Sequence, residues 1–99
     1  MSFYFTKSSQ QDLKDIWHYT RKNWGEKKAN NYLLGIEQTC IHLSSTPTIG
    51  RLFHGLEIEI RVYRYQKHYI FYFEKKKSIQ IIAIIHEKMD IIQKIPWRI

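Results

Sequence analysis

Between Glu57 and Asp90 the side chains follow the periods of strands. Leu56, Ile58, Ile60 and Val62 alternate with Glu57, Glu59, Arg61 and Tyr63, the period of two that buries one face and wets the other. From His68 to Phe73 nearly every side chain is aromatic or β-branched, and from Ile79 to Ile85 the run is nearly all isoleucine. Such segments are buried on both faces, so they belong at the centre of a sheet. The charged stretch from Glu74 to Ser78 suits an antiparallel hairpin between them, although it lacks the Asn-Gly or Asp-Gly pair of the tightest turns.

The N-terminal half begins with Ser2 to Thr6, where Phe3 and Phe5 share one side of a short edge strand. The period then changes. Ser9-Gln10-Gln11-Asp12 has the form of a capping box, and Leu13, Ile16, Trp17, Thr20 and Trp24 follow at helical spacing. This stripe places both tryptophans in the core, with Asp15, His18, Arg21 and Lys22 outside. Gly25 ends the helix. A second helix starts near Glu26, buries Ala29, Leu33, Ile36, Cys40 and Leu43, and stops at Ser44-Ser45-Thr46-Pro47. The short joint predicts an antiparallel helical hairpin. Gly35 costs about 1 kcal/mol relative to Ala in mid-helix, which close approach of the first helix would explain. Thr48 to Gly55 reads as loop, and the tail from Ile91 makes about one helical turn before Pro96. The predicted fold is α+β, in the order β-α-α-β-β-β: an N-terminal strand and a helical hairpin packed on a small, mainly antiparallel sheet.

Composition narrows the picture. Ninety-nine residues, 1–99, allow one domain, and 43% hydrophobic with 15% aromatic content excludes intrinsic disorder. Sixteen Lys and Arg against nine Asp and Glu give a net charge of +7, which favours a polyanion or an acidic protein as partner. The lone Cys40 and the lack of a secretory signal point to a soluble, cytoplasmic protein. The longest strictly apolar run, Ile81 to Ile85, is far short of the roughly twenty residues that span a bilayer, so no membrane association is expected. Five scattered histidines and one cysteine have no metal-ligand spacing. Neither a metal nor a cofactor is expected.

In order and spacing the chain resembles the ParE branch of the RelE/ParE toxin superfamily, the toxin halves of bacterial toxin–antitoxin pairs. The resemblance rests on Asp12-Leu13-Lys14-Asp15-Ile16, Tyr19 with Trp24-Gly25, Ala29 and Tyr32, and Pro47 with Ile49-Gly50. The C-terminal half adds Arg61, His68-Tyr69-Ile70-Phe71-Tyr72, Ile84-Ile85-His86 and Met89-Asp90. It implies the same helical hairpin on a small sheet.

The superfamily holds two activities. RelE-like members are ribosome-dependent mRNA endonucleases, whose chemistry needs a base for the 2′-hydroxyl, an acid at the leaving oxygen and cations over the developing charge. Arg61 matches one such basic position, and Lys67, His86 or Lys88 would complete a catalytic set. Yet no tyrosine lies beyond Tyr72, and His86-Glu87-Lys88-Met89-Asp90 carries two carboxylates where a phosphate would sit. ParE-like members resemble protein inhibitors that trap DNA gyrase on cleaved DNA, acting by binding without turnover. That form implies a toxin, of the plasmid-stabilisation kind, with no catalytic residues and with target contacts at Arg61, Lys88, Met89, Asp90, Trp97 and Arg98. It also implies a ParD-like antitoxin as partner, with nucleic acid reached only indirectly through gyrase or the antitoxin. The antitoxin-binding residues stay unassigned, and a non-toxic relative that only binds an antitoxin is a third reading.

Each residue has a plainer role beside the functional one. Arg61 on the wet face of a strand ordinarily pairs with Glu57 or Glu59, and His86 caps a strand end. Trp97 either covers the sheet or waits for a partner. Lys75-Lys76-Lys77 is ordinarily a solvated hairpin tip.

Overall fold

A computed structural model describes residues 2–54, 58–91, 95 and 98. Strand β1 (Ser2–Phe5) leads into helix α1 (Lys7–Trp24) and helix α2 (Glu26–Ser45). A 3-10 turn (Pro47–Ile49) then precedes β2 (Arg51–Phe53), β3 (Ile60–Tyr65), β4 (His68–Lys75) and β5 (Ser78–His86). The sheet order is β1-β5-β4-β3-β2, with β1 parallel to β5 and the other pairs antiparallel. This is the α+β architecture expected, with β2 added. Three residues between Gly50 and His54 are too few for a period to show, and Arg51 to Phe53 pair with Val62 to Ile60 inside the stretch read as loop.

Both faces of the sheet are buried, as the unbroken apolar runs predict. On one face Ile16, Ile36, Cys40 and Leu43 of the helices meet Ile70, Tyr72, Ile79 and Ile84. On the other, Ile60, Phe71, Ile82 and Ile85 are covered by Ile95, with Ile91 and Phe53 beside them. The tail reading falls largely on residues outside the described ones. Within them, the Ile95 amide donates to the Ile91 carbonyl at 3.0 Å, and Ile95 is fully buried. Full burial of one such side chain stabilises by about 1.5–3 kcal/mol. No helix among the described residues is long and apolar enough to cross a membrane.

Four local expectations are corrected. The first helix is capped by Thr6, whose Oγ1 accepts the Ser9 amide at 3.3 Å while Ser9 Oγ donates to the Thr6 carbonyl at 3.0 Å. The helix therefore starts three residues early, and Asp12 is released from capping. Trp24 is 59% exposed: eight residues, about 12 Å, past Ile16, the apolar stripe has run off the sheet. Trp17 is half-buried, its Nε1 donating to Asn30 Oδ1 at 2.8 Å. Gly35 makes room for Tyr65 and not for α1, since a Cβ there would lie 1.8 Å from the phenol oxygen. The first strand of the C-terminal block starts at Ile60; Ile58 is 39% exposed, and Leu56 and Glu57 lie outside the described residues.

Candidate functional site

Strand β1 stops pairing at Phe5 opposite Ile81, which leaves the far half of β5 with an open edge. Helix α1 runs over that edge. Asp12 Oδ2 accepts the Ile84 amide at 2.9 Å, replacing the missing ladder partner. Arg98 grips the same carboxylate with both terminal nitrogens, one of them at 3.0 Å to Oδ1, and reaches the Ile82 carbonyl at 3.4 Å. Both side chains are mostly buried, 17% exposed for Arg98 and 13% for Asp12.

Past this pair, α1 and the end of β5 enclose a cleft of about 410 Å³. Its helix wall is Asp12, Asp15, Ile16, Tyr19 and Thr20; Ile84, Ile85, His68 and His86 line the sheet side, with Met89 at the lip. Met89 is 48% exposed. His68 and His86 are cross-strand partners with ring centroids 5.1 Å apart at right angles. On its other side, His68 Nδ1 lies 2.6 Å from the Tyr32 hydroxyl of α2. Burial, then the nearby His86, depress the His68 pKa to about 4, so the imidazole is neutral at physiological pH. Burial likewise raises the Tyr32 phenol, and the pair shares one hydrogen bond whose donor follows the tautomer. His86 Nδ1 accepts the Lys88 amide at 3.1 Å. The Glu87 amide donates to the Lys67 carbonyl at 2.9 Å, which ties the strand end to the β3–β4 turn.

The structure brings His86 and Met89 to this cleft, with Lys88 tied to His86 through its amide, and it sets Arg61 elsewhere. Arg61 pairs with Tyr72, four residues along β4 from His68, about 13 Å at strand rise. Its Nη1 donates to the carbonyls of Gly50 at 2.7 Å and Thr48 at 3.3 Å. Tyr72 anchors the same segment, donating to the Pro47 carbonyl at 2.7 Å and accepting the Gly50 amide at 3.0 Å. Arg61 thus holds a loop; of the two carboxylates expected to pair with it, Glu59 makes no ion pair with it among the described residues, and Glu57 lies outside them. Asp90 follows Met89 and is exposed; Trp97 lies outside the described residues. Among the described residues, no three His, Cys, Asp or Glu side chains form a metal-binding group. Cys40 is fully buried, and desolvation pushes its thiol up to about 12, which keeps it protonated and inert.

Asp12, Tyr32 and His68 were legible only as parts of a motif. A lone histidine opening an apolar strand is the one local signal for His68; nothing local connects it to Tyr32, thirty-six positions away. Chemically the cleft combines carboxylates, neutral imidazole and apolar wall. The arginine at its edge is taken up by Asp12, so the arrangement suits a protein side chain better than a phosphate.

Over residues 3–91 the chain matches the family model of the ParE toxin of type II toxin-antitoxin system, parDE. It is 26% identical to Toxin ParE of Escherichia coli over 99 residues, 99% of this chain and 96% of that protein. To Toxin ParE1 of Caulobacter vibrioides it is 26% identical over 85 residues, 86% and 88% of the two chains. A chain in the solved structure of the chromosomal ParDE TA system from P. aeruginosa superposes with a TM-score of 0.75 at 22% identity, covering 87% of this chain and 95% of that one.

Proposed function

From a chain that belongs to the ParE toxin family, the toxin side of type II toxin–antitoxin systems, we propose an inhibitor of DNA gyrase that traps the enzyme on cleaved DNA and is silenced by a ParD-like antitoxin. The observation that carries binding over turnover is the engagement of the arginine expected in a nuclease site. Arg61 turns its Nη1 to the Gly50 and Thr48 carbonyls, and a ladder distance of about 13 Å separates it from the His68–His86 pair. Phosphoryl chemistry needs base, acid and cation converging within hydrogen-bond reach. The gyrase-facing surface is the turn after β5, with Lys88, Met89 and Asp90 beside the cleft. A net charge of +7 favours an acidic antitoxin segment.

The test is incubation of purified, antitoxin-free protein with gyrase, supercoiled plasmid and ATP, followed by detergent and protease. Accumulation of linear plasmid is the expected result. Normal supercoiling in the presence of a demonstrably folded sample would overturn the reading.

A further inference from the structure

The end of the molecule where the helices turn presents a second surface, which meets the cleft at Tyr19. Over residues 21–28 the chain carries Arg21, Lys22, Lys27 and Lys28 against a single carboxylate, Glu26. In their midst Trp24 is 59% exposed, and Tyr19, 60% exposed, lies with its ring centroid 6.1 Å away. Lys22, Lys27 and Lys28 make no ion pair among the described residues. A groove of about 420 Å³ leads from Trp24, Lys27 and Lys28 across Asn31 to Tyr65 and Gln66 at the β3–β4 turn. Its aromatic wall is rigid: the Tyr32 and Tyr65 rings meet edge to face at 5.2 Å, Tyr32 is held by His68, and Tyr65 is seated on Gly35.

An acidic peptide would need only the cations. A mostly exposed indole interleaved with them, beside the amides of Asn31 and Gln66, matches a ligand that alternates negative charge with flat rings. We propose that this helical-hairpin tip binds a single-stranded nucleic-acid segment, Trp24 stacking on a base while Lys27 and Lys28 hold the adjoining phosphates. The site is separate from the gyrase reading and adds a direct contact to the expectation that nucleic acid is met only indirectly.

Binding is measured on the full-length protein alone with a labelled oligothymidylate, by anisotropy and by quenching of tryptophan emission over a salt series. Trp24→Ala is expected to weaken binding fivefold or more, and Trp24→Phe to restore most of it. Lys27→Ala with Lys28→Ala should lower the salt slope by about 1.4, at about 0.7 per phosphate contact on single strands. Lys75→Ala with Lys76→Ala, at the other end of β4, should leave the slope unchanged. Wild-type affinity in a folded Trp24→Ala protein overturns the proposal. So does an equal loss of slope from the Lys75 and Lys76 pair, which marks diffuse charge attraction, or equally tight binding of a polyglutamate of matched charge, which assigns the tip to an acidic protein.

Discussion

Asp12 satisfies two partners from different parts of the chain, the Ile84 amide on the open edge of β5 and the Arg98 guanidinium of the tail. Asp12→Ala leaves both without their acceptor in a mostly buried place, and loss of about 3 kcal/mol in urea unfolding is expected. His68 gives the residue scale its pH dependence. Its folded pKa of about 4 lies below the ordinary 6.5, so the unfolded chain takes up the proton first as pH falls. The stability it contributes is present above pH 6.5 and is lost between 6.5 and 4, roughly 1–2 kcal/mol once solvent screening of this partly exposed ring is included. His86 reinforces the effect, while Asp12 and Glu87 oppose it. Unfolding midpoints across this range should fall, and His68→Gln should flatten the fall. The sequence did not show either role: Asp12 has the spacing of a capping-box carboxylate behind Ser9, and Thr6, three positions before Ser9, takes the cap because β1 ends there.

At the scale of elements, β5 carries a bulge that an isoleucine run cannot reveal. Phe71 pairs with Ala83 but Tyr72 with Ile81, so Ile82 is the extra residue. Ile81 faces the helices, Ile82 and Ala83 both face the tail, and Ile84 returns to the helices. The shift also aims the Ile82 carbonyl and Ile84 amide at Arg98 and Asp12. Ile91, Ile95 and Arg98 are consequently part of the fold. Ile95→Ala should cost about 2–4 kcal/mol, readable as a lower denaturation midpoint. Removing Ile91 to Ile99 should destabilise the protein before it reports on any target. Arg98, expected to face a target, is committed to Asp12.

For the whole molecule, the cleft at the end of β5 and the tip of the helical hairpin are neighbouring surfaces of different chemistry that meet at Tyr19. The cleft is apolar and acidic, with Met89 exposed at its lip; the tip is aromatic and basic. If the cleft side faces gyrase, Lys88→Ala with Met89→Ala should raise the concentration needed for half-maximal plasmid cleavage about tenfold, near 1.4 kcal/mol. Neither side chain is buried, so unchanged thermal unfolding is the control. An unchanged cleavage titration would remove the turn from the target surface.

The order of the helices and of the strands other than β2, the two-sided burial of β4 and β5, the helical hairpin broken at Gly25 and the family resemblance were all written in the sequence. Each rests on local periods, on a glycine with positive φ or on short motifs in fixed order, and neighbouring residues suffice to express these. Tertiary structure alone decided that Trp24 leaves the core, that Tyr65 occupies the space at Gly35, that β2 joins the sheet, and that Asp12, Arg98, Tyr32 and His68 find their partners. Those outcomes depend on where an element ends relative to a distant neighbour, and on which backbone groups that leaves unpaired.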